Sequence, residues 1–212
     1  QEILRTLREQ LHRSVQSQLV SDVPVGAFLS GGLDSSAVVA MAEREGKRIS
    51  RCYTIAYAGG RDWEGMVNDL SYAREVARLL KVECVEIPLE SSVCERVPEM
   101  IWHLDEPQVD LAPLNVLRIA EEARRNGDYV LLSGAGGDDI FSGYRRHLAL
   151  RSETWWSWLP VPLRRGVQAA AAALPTAKPF GRRLRKLFEY AGLPADERLL
   201  RYFAWPSESL AR

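Results

Sequence analysis

Cysteine is scarce in this chain and neither sign of charge is in excess, and both shortages exclude whole classes of protein. The cysteines are Cys52, Cys84 and Cys94. Their number is odd, their spacing is unpatterned and no Cys-x-x-Cys pair occurs, which argues against a disulfide framework. They read as reduced thiols of a cytosolic protein, two of them beside predicted strands. Nothing has the ligand spacing of a zinc site. Basic and acidic residues number 28 each, so no overall field draws the protein to nucleic acid or to a membrane surface. No apolar run approaches the roughly 20 residues of a membrane span, and no signal peptide opens the chain. An initiator Met is missing too. The chain opens in mid-helix and stops on Ala211-Arg212, so an excised piece of a longer, cytoplasmic protein is expected. What is present is 212 residues, 46% of them hydrophobic, enough for one good core and part of a second domain.

The most informative segment is Ser30-Gly-Gly-Leu-Asp-Ser-Ser36, placed between the apolar runs Val23–Leu29 and Ala37–Ala42. This pattern predicts a buried strand, a glycine turn and a helix start. Gly31 and Gly32 let the chain turn without a Cβ and let backbone approach an anion closely. Asp34, Ser35 and Ser36 suit the cap and first turn of a helix, whose unpaired N–H groups and dipole favour phosphate. No Lys is present, so this is not the common Gly-x-x-x-x-Gly-Lys nucleotide loop. An acid inside a phosphate cradle points to Mg2+, which one or two carboxylates and phosphate oxygens usually hold. The bland alternative is an ordinary strand–turn–helix corner.

Around this segment the sequence alternates strands and helices. Ile3, Leu4, Leu7, Leu11, Val15, Leu19 and Val20 recur at helical spacing. Strands are predicted at 23–30, 51–57, 82–87 and 129–133, and helices at 35–44, 70–80, 91–103 and 114–125, with a polar loop at 62–68. The fold class that follows is α/β, a parallel sheet with helices on both faces, whose ligands sit beyond the C-terminal strand ends. From about Leu148 no strand signal remains, and Pro160, Pro162, Pro175, Pro179 and Pro194 divide the rest into short helices. The expected organisation is a nucleotide-binding core over 1–150 and a helical subdomain over 151–212.

A second segment, Leu131-Leu-Ser-Gly-Ala-Gly-Gly-Asp-Asp-Ile-Phe-Ser-Gly-Tyr144, repeats the physics of the first. An apolar strand leads to a Ser-Gly turn and then to two acids opening a helix. Asp138 could complete a metal site with Asp34, or it caps its helix only. Ser133 and Gly134 can present hydroxyl and backbone to a nucleotide.

The first segment resembles the pyrophosphate loop of the ATP pyrophosphatase (PP-loop) superfamily, and the second narrows the resemblance. It is similar to the Ser-Gly-acid-Gly-x-Asp-Glu-x-Phe-x-Gly-Tyr motif of the asparagine synthetase family, C-terminal synthetase domain. His103-Leu-Asp-Glu-Pro-Gln-Val-Asp110 resembles the family's Asp-Glu-Pro-x-x-Asp element, and Asp69-Leu-Ser-Tyr-Ala-Arg74 its acid-x-x-Tyr-Ala helix. The resemblance implies an adenine nucleotide alpha hydrolase-like fold and β-aspartyl-AMP chemistry. Aspartate's side-chain carboxylate attacks the α-phosphate of Mg-ATP, pyrophosphate leaves, and ammonia displaces AMP. It implies that Ser30, Gly31, Gly32, Asp34, Ser35 and Ser36 hold pyrophosphate. Leu29, Ile55, Ser133 and Gly134 would contact adenosine, and Asp34 and Asp138 would hold Mg2+. Asp34, Asp138 and Asp139 are the candidate catalytic acids, and Asp105, Asp110 and Arg145 the candidate substrate-binding residues. The implied partners are a carboxylate substrate, ammonia, an N-terminal glutaminase domain and a second copy in a homodimer.

Two departures bear on the acceptor. Ala135 stands where the family has Glu or Asp, and Asp139 where it has Glu. Either another acid such as Asp139 takes over the missing role, or a different acceptor is used, as in a β-lactam-forming homologue. A non-catalytic ATP-binding module is the remaining alternative. The family's phosphate-contacting Lys and glutaminase nucleophile are also absent, so this piece alone is expected to be inactive. Asp105 and Glu106 either line an amino-acid pocket or form the turn before Pro107. Trp155, Trp156 and Trp158 are expected to pack helices together or to lie exposed where absent segments would cover them; Arg182, Arg183, Arg185 and Lys186 form a solvated helix face or contact a phosphate or a partner.

Overall fold

The computed structural model describes residues 1–44, 46, 49–57, 69–108, 110–175 and 179–203. The polar loop expected at 62–68 lies outside the described residues. The chain divides into two compact units, Gln1–Gly136 and Gly137–Arg212. The break between them falls inside the second motif. The last strand and its Ser-Gly turn close the first unit, and the acid pair opens the first helix of the second.

The first unit begins with α1 (Glu2–Gln18), β1 (Val25–Phe28), α2 (Leu33–Arg44), β2 (Cys52–Tyr57), α3 (Asp69–Leu80) and β3 (Cys84–Leu89). A 3-10 turn (Ser91–Arg96), α4 (Val97–Leu104), α5 (Ala112–Arg125) and β4 (Val130–Leu132) follow. The helix expected over 91–103 is thus split. Pro98 lies in the first turn of α4, where its missing N–H costs nothing; deeper in a continuous helix it would break the ladder. Pro113 opens α5 in the same way.

The four strands form one parallel sheet in the order β3-β2-β1-β4. Alternation along the strands sends side chains to two cores. Val25, Ala27, Leu29, Cys52 and Leu132 pack against Val39 and Ala42 of α2, Ala73 and Ala77 of α3, and Val15 of α1. Tyr53, Ile87 and the partly buried Phe28, Ile55 and Leu131 pack against Ile119 and Ala123 of α5. Helices therefore cover both faces, as the βαβ pattern predicts. At the N-terminal edge of the sheet Tyr53 donates a 2.6 Å hydrogen bond to the buried Asp128, which Arg51 approaches at 3.5 Å. Burial, then this bond, pushes the Tyr53 phenol up to about 12.

Helices α6 (Gly137–Ile140), α7 (Arg145–Glu153), α8 (Val161–Ala172), α9 (Pro179–Leu187) and α10 (Ala195–Phe203) make up the described part of the second unit. Two buried arginines tie it together. Arg198 grips both carboxylate oxygens of Glu153 at 3.0 and 2.9 Å and donates to the Leu193 carbonyl. Arg164 donates to the carbonyls of Leu159, Ala191 and Leu193. Of the three tryptophans expected to pack, only Trp156 does so, edge-on to Phe188; Trp155 and Trp158 are exposed. The overall charge balance is also divided: 1–136 carries 21 acidic and 15 basic residues, 137–212 carries 7 and 13.

Candidate active site

The chain runs β1, β2, β3 outward to one edge, then returns to place β4 on the other side of β1. Where strand order reverses in this way, the connections leaving the C-terminal strand ends diverge and open a crevice. The two turns beside it are Leu29–Gly32 after β1 and Ser133–Gly136 after β4. Both glycine-rich segments of the sequence thus meet at the switch point.

The turns share a local geometry. The Gly32 amide donates to Ser30 Oγ at 3.3 Å, and the Ala135 amide to Ser133 Oγ at 3.1 Å. Each serine closes a short turn and leads into the next helix. The β1 turn is fixed further by Ser35, whose Oγ accepts from the Ser30 amide at 3.2 Å and donates to the Gly32 carbonyl at 3.3 Å. Ser30 and Ser35 hydroxyls also lie 3.0 Å apart. Ser35 is 7% exposed, so its side chain organises the loop from within. Ser36 Oγ donates to the same Gly32 carbonyl at 2.7 Å.

Two close approaches lock this turn to its neighbours. Gly31 has φ +81°, and a Cβ there would come within 2.5 Å of the Asp69 carbonyl oxygen and 2.7 Å of the Ala73 amide. The first turn of α3 is therefore seated on the loop. A Cβ on Gly134 would come within 2.6 Å of the Ser35 amide nitrogen, so the β4 turn lies directly against the first turn of α2. Gly32, by contrast, would meet only Ser30 Oγ, at 3.3 Å.

The remaining candidates are placed as follows. Leu29 is buried, its amide bonded to the Tyr53 carbonyl at 2.9 Å, and Ile55 points into the α5-side core. Ser30 and Ser133 are exposed, and Asp34 is half-buried in the first turn of α2. Among the described residues no hydrogen bond or ion pair engages the Asp34 carboxylate. Asp138 and Asp139 open α6, exposed, in the second unit. Asp105 is the exposed left-handed C-cap of α4, with φ +56°. Asp110 accepts from the Ala112 amide at 2.9 Å in the turn that precedes α5. Arg145 opens α7, and its side chain lies outside the description. Sequence reasoning did not foresee the seating of α3 on the loop. Its signal was the Asp69–Arg74 motif, which carried no stated role.

A Mycobacterium tuberculosis relative is 34% identical over 192 residues, 89% of this chain and 27% of its own. "Asparagine synthetase (glutamine-hydrolyzing) 1" of Bacillus subtilis is 29% identical over 93% of this chain and 30% of its own. "Amidase chyE" of Penicillium rubens is 31% identical over 74% of this chain and 25% of its own. The chain thus spans about a quarter to a third of the length of the curated relatives it matches. The family model described as Asparagine synthase matches residues 6–211, and the chain belongs to the asparagine synthase family.

Proposed function

We propose that this chain supplies the ATP-binding part of an ATP-dependent amide-forming ligase of the asparagine synthetase type. The carrying observation is the contact of two Ser-Gly turns from adjacent parallel strands, with Gly134 against the first turn of α2. Such a seam offers backbone amides and a helix N-terminus to a polyphosphate. In this reading Ser30, Gly31, Gly32 and Ser36 cradle the diphosphate, and Ser35 holds the cradle in shape. Ser133, Gly134 and the backbone of Leu29 flank adenosine beside Ile55. The protein's task is positioning and charge neutralisation: aspartate's side-chain carboxylate attacks the α-phosphorus, pyrophosphate departs, and ammonia then displaces AMP.

Mg2+ fits the residues present. The Asp34 carboxylate lacks a partner among the described residues, and Asp138 carries a second exposed carboxylate, the hard oxygen donors this ion takes. Asp34 would hold it, with Asp138 the further ligand that the family resemblance implies, and the ion would supply charge neutralisation to the diphosphate. Asp139, four positions after Ala135, is the acid that would take over the missing role. Ammonia would come from glutamine hydrolysed by a glutaminase domain, and Asp105, Asp110 and Arg145 remain the substrate-side candidates.

A second reading has a specific observation behind it. Ala135 is exposed and lacks the acid, and a relative in the comparison is named an amidase. The acceptor is then a carboxylate other than aspartate. ATP–pyrophosphate exchange by the full-length protein tests both: stimulation by aspartate supports the first, and stimulation only by another carboxylic acid supports the second. Mg-ATP binding with no exchange under any acid leaves a non-catalytic nucleotide module.

A further inference from the structure

We propose that Tyr72 is a diphosphate-binding residue of this site, its phenol donating a hydrogen bond to the phosphate oxygens held over Gly31. The inference rests on the diphosphate reading of the Ser30–Ser36 turn and adds to it a residue from a different helix.

Three observations carry it. A Cβ on Gly31 would come within 2.9 Å of Tyr72 Cβ, beside its approaches to the Asp69 carbonyl and the Ala73 amide. Tyr72 therefore leaves α3 on the side that faces the turn. The neighbouring Ala73 is fully buried, whereas Tyr72 stays 52% exposed; its ring has not been absorbed into the core. Finally, among the described residues no hydrogen bond reaches its hydroxyl, so the donor is open to a ligand at the turn. A tyrosine standing at the rim of an anion cradle with a free donor matches the chemistry of a diphosphate, whose oxygens only accept. A bond from a neutral donor to that charge is stronger than a neutral pair.

The contribution is to binding and orientation, with no proton transferred. Tyr72→Phe keeps the ring and removes only the donor, so it isolates this role from packing. The test is calorimetric titration of the 212-residue chain with inorganic pyrophosphate in excess Mg2+, beside thermal unfolding of each variant. The expected result is an affinity lowered about tenfold in Tyr72→Phe with an unchanged unfolding temperature. Tyr57→Phe, at the exposed end of β2, is expected to bind as the parent does. Equal affinity in parent and Tyr72→Phe overturns the assignment of Tyr72 alone. Absence of pyrophosphate binding in the parent overturns the diphosphate reading of the turn and this assignment with it. If Tyr72→Phe lowers the unfolding temperature along with affinity, Tyr72→Leu decides. An affinity loss no greater than that of Tyr72→Phe, with the ring gone, supports the hydroxyl's role. A much greater loss assigns the effect to packing and overturns the proposal.

Discussion

Gly134 and Ser35, 99 positions apart in sequence, lie in such close backbone contact that a methyl group on Gly134 would stand 2.6 Å from the Ser35 nitrogen and 2.8 Å from the Asp34 carbonyl carbon. The obstacle is main chain at the start of a helix, which cannot swing aside as a side chain can. Gly134→Ala is expected to force the two turns apart, to cost about 1–3 kcal/mol of stability as overpacking does, and to abolish measurable Mg-ATP binding. Urea denaturation and nucleotide titration of the same variant check both effects.

The two loop glycines are expected to respond differently to the same substitution. Gly31→Ala adds a Cβ at a left-handed φ and drives it into the Asp69 carbonyl and Ala73 amide, so it should destabilise by several kcal/mol. Gly32→Ala meets only the Ser30 hydroxyl and should cost about 1 kcal/mol or less. Comparing the unfolding midpoints of the pair separates steric seating from the general need for a flexible loop.

Ser35 is a loop pin in the structure, and removal of its hydroxyl should act mainly on stability. Ser35→Ala strips the Ser30 amide of its acceptor and is expected to cost about 1–2 kcal/mol. Ser36→Ala loses one more exposed bond, to Gly32, and should cost about 0.5–1 kcal/mol. A larger penalty for Ser36→Ala in chemical denaturation would contradict this division of roles.

Alkaline stability should depend on Tyr53. Its phenol, lifted from 10 to about 12 by burial and by Asp128, stays protonated in the folded protein where the unfolded chain begins to ionise. The stabilisation is complete below pH 10 and disappears as pH rises from 10 toward 12. Tyr53→Phe should flatten that decline. At neutral pH it should destabilise by about 1.5–3 kcal/mol, because the buried Asp128 loses its shortest hydrogen bond. Denaturation curves at pH 7 and across pH 9–12 measure both.

In the second unit, Glu153→Gln should be among the most damaging single changes. The Arg198 guanidinium is 3% exposed and would lose its counter-charge, a situation that costs about 3–5 kcal/mol. Loss of the near-ultraviolet signal of Trp156, over which Arg198 lies at 5.3 Å, would report the collapse directly.

The sheet and its two turns were legible because they depend on local pattern. Val25, Ala27 and Leu29 alternate with residues of the opposite face, and both Ser-Gly turns followed by acids stand between a strand end and a helix start. Contacts between distant positions were not legible. Nothing near Tyr53 in sequence announces Asp128, 75 positions away, and a glycine's role as a spacer depends on what stands opposite it. Asp105 and Asp110 show a different limit. Their motif gives no sign of the backbone they adopt, the left-handed end of α4 for Asp105 and the turn before α5 for Asp110. Charge totals concealed most, because equal counts hide where the two signs are kept.

That separation of sign along the chain has a practical result. With more acids than bases before Gly137 and the reverse after it, a protein with a sequence isoelectric point near 7.0 is neutral only as an average. In dilute buffer it should adhere to cation- and anion-exchange resins alike, and elute from both once salt shortens the screening length to about 10 Å or less. A protease cut at the junction would yield pieces that migrate toward opposite electrodes at pH 7.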